Sequence, residues 1–530
     1  MLSIFTIAPI IVAILLFVLP LEKPVRAIAV MAQAALFGSA FYLFLLCKDE
    51  EIVTRVGNYE GVLGIILKAD TLTSVFLMLS AFIFLIATIY SFNDKFSRLF
   101  WFFLFAWQGL LNGIFMSRDI FNIFVLMEVA TVVVAALIMF KRDNRSMYDG
   151  MVYLMVNIVA MQFYLFGAGY IYKLTGTLDM TAAAQAIGSL EKSALVLPFA
   201  LIMTAVSLKC ALMPLFSWLP KAHGTPGAPP AVSAILSGLH IKSGVYLFIR
   251  FRDVFGELIV PEFFLIIGII TGLVGALLAL SQTDIKLMLA YSTISQVGMI
   301  MIGLNIPDVY AFTGSTYHII NHALFKSALF LCAGALSYAY GTRDIGSIRG
   351  VLKRYPLVGA AAIMAILGIT GTPFFNGSIS KYFIMSGANW LVRSPIILIN
   401  LGTIIVFMKF STMLFGRPSD IHGPEKISVS KQASVLVLGA LCLVGGIFGE
   451  QTIHFLFGAE VNVDAAGYIE KIILFVVSAI AGYLIFRFFV DKHPFFSKIR
   501  GIDLSFRRIC ASVGIFFAVT LIITRLFTVV

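Results

Sequence analysis

Charged residues are scarce in this sequence: they make up 12% of its 530 residues, about half the share found in a soluble protein. Hydrophobic residues make up 60%. A disordered chain is excluded because such chains are poor in apolar residues. A soluble globular protein is excluded because so little charge cannot cover a surface exposed to water. The composition therefore predicts an all-α, polytopic membrane protein whose helices are apolar nearly all round.

Cysteine is also scarce. The five cysteines lie in or beside apolar segments, at Cys47, Cys210, Cys332, Cys442 and Cys510. There is no C-x-x-C pair or Cys/His cluster, and no flavin or nucleotide motif. We therefore expect no disulfide framework, metal or cofactor in this chain. Acids are outnumbered as well, since 27 Asp and Glu against 38 Lys and Arg give a net charge of +11. In an apolar chain this excess is typical of cytoplasmic loops and does not predict a nucleic-acid partner.

Sixteen apolar stretches are candidate membrane-spanning helices, each of which needs about 20 residues. They cover residues 2–20, 26–47, 71–92, 99–116, 119–140, 148–172, 196–220, 229–250, 262–281, 285–304, 310–339, 356–386, 394–415, 431–450, 468–490 and 509–529. Lys23 and Arg26 follow the first stretch instead of preceding it, and no A-x-A cleavage site is present. We therefore interpret this stretch as a retained helix and not as a signal peptide.

The basic residues predict the orientation of the chain. Loops after odd-numbered spans carry about 21 Lys and Arg, against about 9 in loops after even-numbered spans. The richest are residues 141–145, 343–354 and 492–508, whereas residues 450–467 contain three acids and no base. Because positive loops stay in the cytoplasm, both termini are predicted on the non-cytoplasmic side of the cell (inner) membrane. An even number of spans agrees with this orientation.

Ionisable residues inside the spans are unexpected, since each costs about 2.5–3.5 kcal/mol on insertion scales and usually lines an ion path. Glu128 lies about 13 Å along its helix from Asp119 at the membrane edge, which places the carboxylate near mid-depth. Lys409 lies inside span 13, near enough to its end to reach the interface. The remaining members interrupt spans 7, 8, 11 and 12; they are Lys209, Lys242, His318, His322, Lys326 and Lys381.

Three of these residues, His318, His322 and Lys326, recur every four positions and therefore share one helix face. Histidine titrates near neutral pH, and burial or a neighbouring charge can bring lysine and glutamate into range. Such a row can pass protons from group to group, with water molecules between them. The alternative is structural, because the same groups can join helices through hydrogen bonds. That alternative weighs as much as the functional one for His240.

Two spans are interrupted by residues that break helices. Pro214 and Pro220 break span 7 just after its lysine, and Gly371, Pro373 and Gly377 break span 12 just before its lysine. Two interrupted spans indicate inverted repeats with an ion path at the breaks. We predict repeats of five spans each, spans 4–8 and 9–13. The predicted divisions are N-terminal helices (1–98), a first repeat (99–250), an inverted second repeat (262–415) and C-terminal helices (431–530).

Several long segments resemble the antiporter-like subunits of respiratory complex I, a family that includes Mrp-type Na+/H+ antiporters and membrane-bound hydrogenases. The segments are SLKCALMPLFSWLPKAH (207–223), PPAVSAILSGLHIKSGVYLFIR (229–250), DIKLMLAYSTISQVGMI (284–300), HIINHALFKSALFLCAGAL (318–336) and GTPFFNGSISK (371–381). They occur in the family's order, and the resemblance covers about residues 70–415.

The resemblance implies a role for each intramembrane residue. Glu128 matches the essential glutamate of the fifth helix, and Lys209 matches the lysine that pairs with it. The other matches are Lys242 to a bridging lysine, His318, His322 and Lys326 to the relay of the eleventh helix, and Lys381 to the terminal lysine. Three features depart from the pattern. Tyr382 stands where some members carry an acid, His240 matches no motif residue, and residues 468–529 add two spans without a long lateral helix.

The leading functional hypothesis is an antiporter-like subunit that translocates H+, with Na+ left open, in a redox-driven complex of the complex I or membrane-bound hydrogenase type. Iron–sulfur or other redox centres would then lie in peripheral partner subunits. Further partners would be antiporter-like or small hydrophobic membrane subunits and lipid. One alternative is a Mrp-type Na+/H+ antiporter subunit driven by ion gradients alone. A second alternative is a structural scaffold that translocates nothing.

Overall fold

A computed structural model describes residues 2–19, 22–58, 64–420, 426–490, 494–502 and 504–528, without the side chains of residues 22, 23 and 58. Parts of predicted spans 1 and 16, the Lys23 side chain and parts of the basic loop 492–508 therefore lie outside the described residues. The helices of the first half are α1 (Ile4–Val18), α2 (Glu22–Leu46), α3 (Thr71–Tyr90), α4 (Arg98–Met116), α5 (Ile120–Ile138), α6 (Asn144–Thr175), α7 (Met180–Ile187), α8 (Lys192–Lys209), α9 (Trp218–Gly224), α10 (Pro230–Ile235) and α11 (Ile241–Phe255).

The helices of the second half are α12 (Pro261–Ser281), α13 (Ile285–Asn305), α14 (Val309–Tyr340), α15 (Val351–Arg354), α16 (Pro356–Thr370), α17 (Asn376–Ser386), α18 (Trp390–Ser411), α19 (Val429–Ile447), α20 (Gly449–Phe457), α21 (Ala465–Ile485), α22 (Pro494–Arg500) and α23 (Phe506–Thr528). Two π-helical segments, Leu236–His240 and Phe486–Val490, continue α10 and α21. Short 3-10 turns cover Val56–Asn58 and Gly256–Leu258.

The all-α membrane architecture is confirmed. Within the described residues, 14 helices are long and apolar enough to cross a membrane. Two shorter apolar helices, α1 and α16, lie at predicted spans 1 and 12. Together these elements fall at all sixteen predicted positions, although the count of sixteen crossings itself stays a prediction.

A small β-hairpin was not predicted. Strands β1 (Ile52–Arg55) and β2 (Ile66–Ala69) pair antiparallel between α2 and α3. Leu67 of β2 also forms a bridge with Ser117, in the turn between α4 and α5. The hairpin therefore ties two inter-helix connections together at one end of the bundle. Its strands are too short to stand out from a loop by alternation alone.

The same elements recur at a constant offset in the two halves. Helices α6 and α14 are both 32 residues long, and each ends at a left-handed glycine, Gly176 or Gly341. Isolated bridges join Asp119 to Asp179 and Asp284 to Asp344, so that an offset of 165 residues relates both pairs. This is the pattern that five-span repeats would produce, and the division into inverted repeats stays a prediction.

A buried ion network joins three elements of the first half. Asp70, which caps α3, accepts hydrogen bonds from Arg118 at 2.9 Å and Arg250 at 2.6 Å. Burial alone would raise the pKa of Asp70, but Arg250 and Arg118 together lower it well below its usual value. The hydroxyl of Tyr246 accepts a further bond from Arg118 at 3.1 Å. The network therefore fixes α3 and α11 to the turn between α4 and α5.

The C-terminal helices extend along both halves. Helix α21 packs against α18, and α23 packs against α6 and α8. The short helix α22 lies beside α12, where Nε of Arg500 donates to the carbonyl oxygen of Ser281 at 2.7 Å. The chain therefore returns from the second half to the first before it ends.

Candidate functional site

The break in predicted span 7 is confirmed. Helix α8 ends at Lys209, and helical structure resumes only at Trp218. Ala211 has a positive φ of 53°, which ends the helix just beyond the lysine. Gly244 of α11 lies directly against this break, since a Cβ atom there would lie 2.7 Å from the carbonyl carbon of Lys209. The broken helix and a glycine therefore bring the Lys209 backbone against α11.

Lys209 and Glu128 come close without forming a salt bridge among the described contacts. The Lys209 amine donates to Oγ1 of Thr131 at 3.0 Å, one helical turn from Glu128 on α5. Glu128 is half-buried, and its Oε1 has no described hydrogen-bond partner. The two groups still interact electrostatically. The implied pair is thus a near neighbour relation, with a threonine hydroxyl holding the lysine.

Sequence reasoning left the role of His240 open. In the structure His240 is buried at the end of the π-helical turn of span 8, between two aromatic side chains. Nε1 of Trp107 donates to its Nδ1 at 3.3 Å, and the Tyr153 hydroxyl lies 3.1 Å from its Nε2. Because an indole N–H only donates, Nδ1 is the acceptor and Nε2 carries the hydrogen. Tyr153 also interacts with Thr131, so these groups connect His240 to Lys209.

Lys242 lies at the centre of the described polar row. It is fully buried, and its amine contacts Nδ1 of His322 and the carbonyl oxygen of Ser237. Ser237 belongs to the π-helical turn, a feature that is often found at functional sites. Nε2 of His322 has no described hydrogen-bond partner. Lys242 and His322 therefore join a side chain of the first half directly to one of the second half.

The predicted face of α14 continues the row. The rings of His318 and His322 lie 6.4 Å apart, centroid to centroid. Nε2 of His318 lies 3.2 Å from Oε1 of Gln296, and its Nδ1 lies 2.8 Å from Oγ of Ser380. Since the Gln296 amide nitrogen donates to Thr403, its oxygen is free to accept from Nε2 of His318. Nδ1 of His318 can then accept a hydrogen from Ser380, which precedes Lys381 in α17.

Lys326 lies one turn further along α14 and away from this line. Its amine donates to the carbonyl oxygen of Leu289 at 2.9 Å and contacts Oγ of Ser292. It also lies over the Phe407 ring at 5.8 Å. All of its described polar contacts are with neutral oxygens of α13. Lys326 therefore forms a side branch of the row, and not a link between His322 and Lys381.

Lys381 ends the predicted row at the second helix break, which is also confirmed. Helix α16 ends at Thr370 and α17 begins at Asn376. The Lys381 amine donates to the carbonyl oxygen of Ile369 at 2.6 Å and to Oδ1 of Asn400 at 2.7 Å. The first of these is a carbonyl that the break leaves without a helical partner. The break therefore supplies an acceptor for the buried lysine.

Lys409 lies apart from the row, near the end of α18, where its amine donates to the carbonyl oxygen of Leu280 at 2.9 Å. Three further buried cations or imidazoles were missed by sequence reasoning. Lys286 and His223 lie at the cytoplasmic end in the predicted orientation, and Lys471 lies on α21. His223 and Lys286 both belong to segments that resemble the family, so the resemblance already contained a signal for both.

His223 and Lys286 lie behind a large polar cavity. The cavity is about 840 Å³ and is lined by Lys286, Asp284 and other residues of the loops between helices. The Lys286 amine donates to the carbonyl oxygen of Ala228 at 2.9 Å. His223 is fully buried against Phe330, and neither of its ring nitrogens has a described hydrogen-bond partner. Polar groups thus extend from this cavity toward the centre of the bundle.

The chemistry that the row can perform is proton transfer. Its groups are amines, imidazoles, hydroxyls and one carboxylate, each of which can bind or release a proton or relay one through a hydrogen bond. Within the described residues, no group of three His, Cys, Asp or Glu side chains is arranged to bind a metal ion. The row runs from Glu128 on α5 to Lys381 on α17, across both halves of the bundle.

Comparisons with known proteins agree with this geometry. The family profile described as "NADH:quinone oxidoreductase/Mrp antiporter, TM" matches residues 117–409. The chain is 30% identical over 466 residues to the D-type subunit of the Na(+)/H(+) antiporter of Alkalihalophilus pseudofirmus, which covers 84% of this chain and 94% of that protein. It is 31% identical over 458 residues to the N-type subunit of the NADH-quinone oxidoreductase of Desulforudis audaxviator, with 81% and 90% covered. A chain in the structure of the Mrp complex from Dietzia sp. DQ12-45-1b shares the fold, with a TM-score of 0.80 at 20% identity over 94% of this chain and 99% of that chain.

Proposed function

Because the chain belongs to the NADH:quinone oxidoreductase/Mrp antiporter family, we propose that it is an ion-translocating, antiporter-like subunit of a larger membrane complex. The ion is H+, and it moves along the row from Glu128 to Lys381. The observation that carries this proposal is the contact between Lys242 and His322, because it joins the polar groups of the two halves in the middle of the bundle.

Each step of the proposed path leaves a balanced pair of groups. A proton that passes from the Lys242 ammonium to the His322 imidazole leaves a neutral amine and forms an imidazolium. The imidazolium can pass a proton on to His318 through an intervening water molecule, since the ring centroids are 6.4 Å apart. Ser380 links His318 to the helix that carries Lys381. Repulsion between neighbouring positive charges disfavours two protons on adjacent groups, which gives the transfer a direction when one end is recharged.

The second part of the proposal concerns the source of energy. We propose that partner subunits couple the ion flow to a redox reaction and hold the redox centres that this reaction needs. The second candidate is a Mrp-type antiporter driven by ion gradients, which the relative from the Na(+)/H(+) antiporter of Alkalihalophilus pseudofirmus favours. The two relatives are 30% and 31% identical to this chain, so identity does not separate the candidates.

Purification of the intact complex through a tag on this chain separates the two candidates. Co-purified subunits with iron–sulfur or nickel–iron centres would support redox coupling. A complex of small hydrophobic and antiporter-like subunits without metal would reject redox coupling and support gradient-driven exchange. In vesicles that contain the complex, Lys242→Met should abolish proton movement while the complex still assembles. Proton movement at the wild-type rate in Lys242→Met would reject the proposed relay.

A further inference from the structure

Lys471 is a buried cation that lies beyond the predicted row. It belongs to α21, outside the matched residues 117–409, and its side chain reaches α17. The amine donates to the carbonyl oxygen of Ser378 at 2.5 Å and contacts Oγ of the same serine. It also lies 5.3 Å from the centre of the Tyr468 ring. Only 8% of the residue is exposed, although α21 as a whole is mostly exposed on this chain.

Lys471 shares a cavity with Lys381. The cavity is about 30 Å³, and its lining includes both lysines and Asn400, the acceptor for the Lys381 amine. A volume of this size holds a water molecule when several polar groups line it. Both amines contact neutral oxygens in the described structure, and both are buried. A water molecule between them would complete a connection from the end of the row to α21.

A second connection leads from Lys471 toward one end of the bundle. Oγ of Ser378 lies 2.9 Å from the hydroxyl of Tyr468, so either group can donate to the other. Tyr468 in turn lines a separate cavity of about 400 Å³, together with Glu450 and Asn462 of the segment before α21. In the predicted orientation this cavity lies on the non-cytoplasmic side. The polar groups thus run without a gap from the amine of Lys471 to a loop-lined cavity.

We propose that Lys471, Ser378 and Tyr468 form the terminal branch of the relay, which carries protons between Lys381 and the cavity beside Glu450. A proton leaves the Lys381 ammonium through water and converts the Lys471 amine to an ammonium. Lys471 passes a proton to the Ser378 oxygen, whose own hydrogen moves to the Tyr468 oxygen, and the Tyr468 hydrogen leaves to water in the cavity. Ser378 and Tyr468 end the sequence neutral, each with one hydrogen on its oxygen. This inference rests on the proposed function and assigns a translocating role to one of the two added spans.

The competing explanation is that Lys471 only fastens α21 to α17. Lys471→Arg separates the two explanations, because a guanidinium still donates hydrogen bonds but does not release its proton at physiological pH. Lys471→Met removes both properties at nearly the same length, and Tyr468→Phe removes only the hydroxyl. Glu470→Gln is the matched control, since Glu470 is the neighbouring residue on α21 and pairs with Arg393 at an exposed position.

The test is proton translocation per assembled complex, measured in vesicles that contain the intact wild-type or variant complex. Lys471→Arg and Lys471→Met should each lower the rate by at least about tenfold, a modest value for the loss of a proton-transfer group. Tyr468→Phe should lower it as well, and Glu470→Gln should leave it unchanged. A wild-type rate in Lys471→Arg would overturn the inference, since fastening alone would then suffice. If Lys471→Met fails to assemble, Lys471→Arg and Tyr468→Phe decide the question.

The same measurement separates this inference from the proposed function. If Lys242→Met abolishes translocation while Lys471→Arg and Tyr468→Phe match the wild type, the terminal branch is wrong and the central relay stands. If Lys242→Met also matches the wild type, the proposed function itself is rejected.

Discussion

Adding one methyl group at Gly244 should disturb the site more than any other conservative change near Lys209. Gly244 is on α11 two residues beyond Lys242, and it lies against the last turn of α8. A Cβ atom there would lie 2.7 Å from the carbonyl carbon of Lys209 and 2.8 Å from the backbone nitrogen of Cys210. Both neighbours are backbone atoms, so no side chain can rotate away to make room. We therefore expect Gly244→Ala to push the two helices apart.

The size of the effect follows from these distances. Carbon atoms in contact are usually about 3.5–4.0 Å apart, so the helices must separate by roughly 0.8 Å. Overpacking of this kind typically costs about 1–3 kcal/mol of stability. A shift near 1 Å can lower the rate of a step that depends on alignment by about 100-fold. We expect a small loss of stability and a ten- to hundredfold loss of proton translocation, each estimated from these two effects.

The assay combines the Tm of the purified complex with proton translocation per complex in vesicles. Gly169→Ala is the control, because Gly169 is exposed on α6 and an added Cβ there would meet no atom within 4 Å. Alanine in an open helix position should leave both quantities unchanged or raise the Tm slightly. A wild-type Tm together with a wild-type translocation rate in Gly244→Ala would refute this reasoning.

Two further predictions concern residues on either side of the central row. Asp70→Asn should lower the stability of the complex at pH 7 by about 3 kcal/mol, because it leaves two buried guanidinium groups without their carboxylate; thermal unfolding would show this, with exposed Asp49→Asn as the control, and an equal loss in both variants would contradict it. Because the pKa of Asp70 is lowered in the folded chain, this stabilisation is complete above the unfolded pKa of about 3.9 and is lost only as the pH falls toward the lower folded value. Ser380→Ala should slow proton translocation without a loss of assembly, because it removes the hydroxyl that links His318 to α17; an unchanged rate in vesicles would show that Ser380 is not on the path.

Much of the site could be predicted from the sequence because the membrane makes polar residues conspicuous. Glu128, Lys209 and Lys242 interrupt apolar stretches, so their cost alone singled them out. The helix breaks after Lys209 and before Lys381 followed from proline and glycine, whose effect on a helix is local. These features depend on neighbours in the sequence, and the structure places them where the pattern indicated.

Other features depend on contacts between distant segments and left no local signal. The hydrogen bond of Lys209 to Thr131 and the position of His240 between Trp107 and Tyr153 arise only when four helices pack together. Lys471 was missed for a related reason. It lies three residues inside the predicted start of span 15, where a lysine would ordinarily reach the interface. Only the packing of α21 beside α17 shows that the amine is buried.

The central claim is that side chains inside this bundle carry protons, and a scaffold would not. The most direct test is proton translocation in vesicles by complexes with Lys209→Met or Glu128→Gln, normalised to the amount of assembled complex. We predict normal assembly and no translocation in either variant. Wild-type translocation by an assembled Lys209→Met complex would contradict the account and leave these residues a purely structural role.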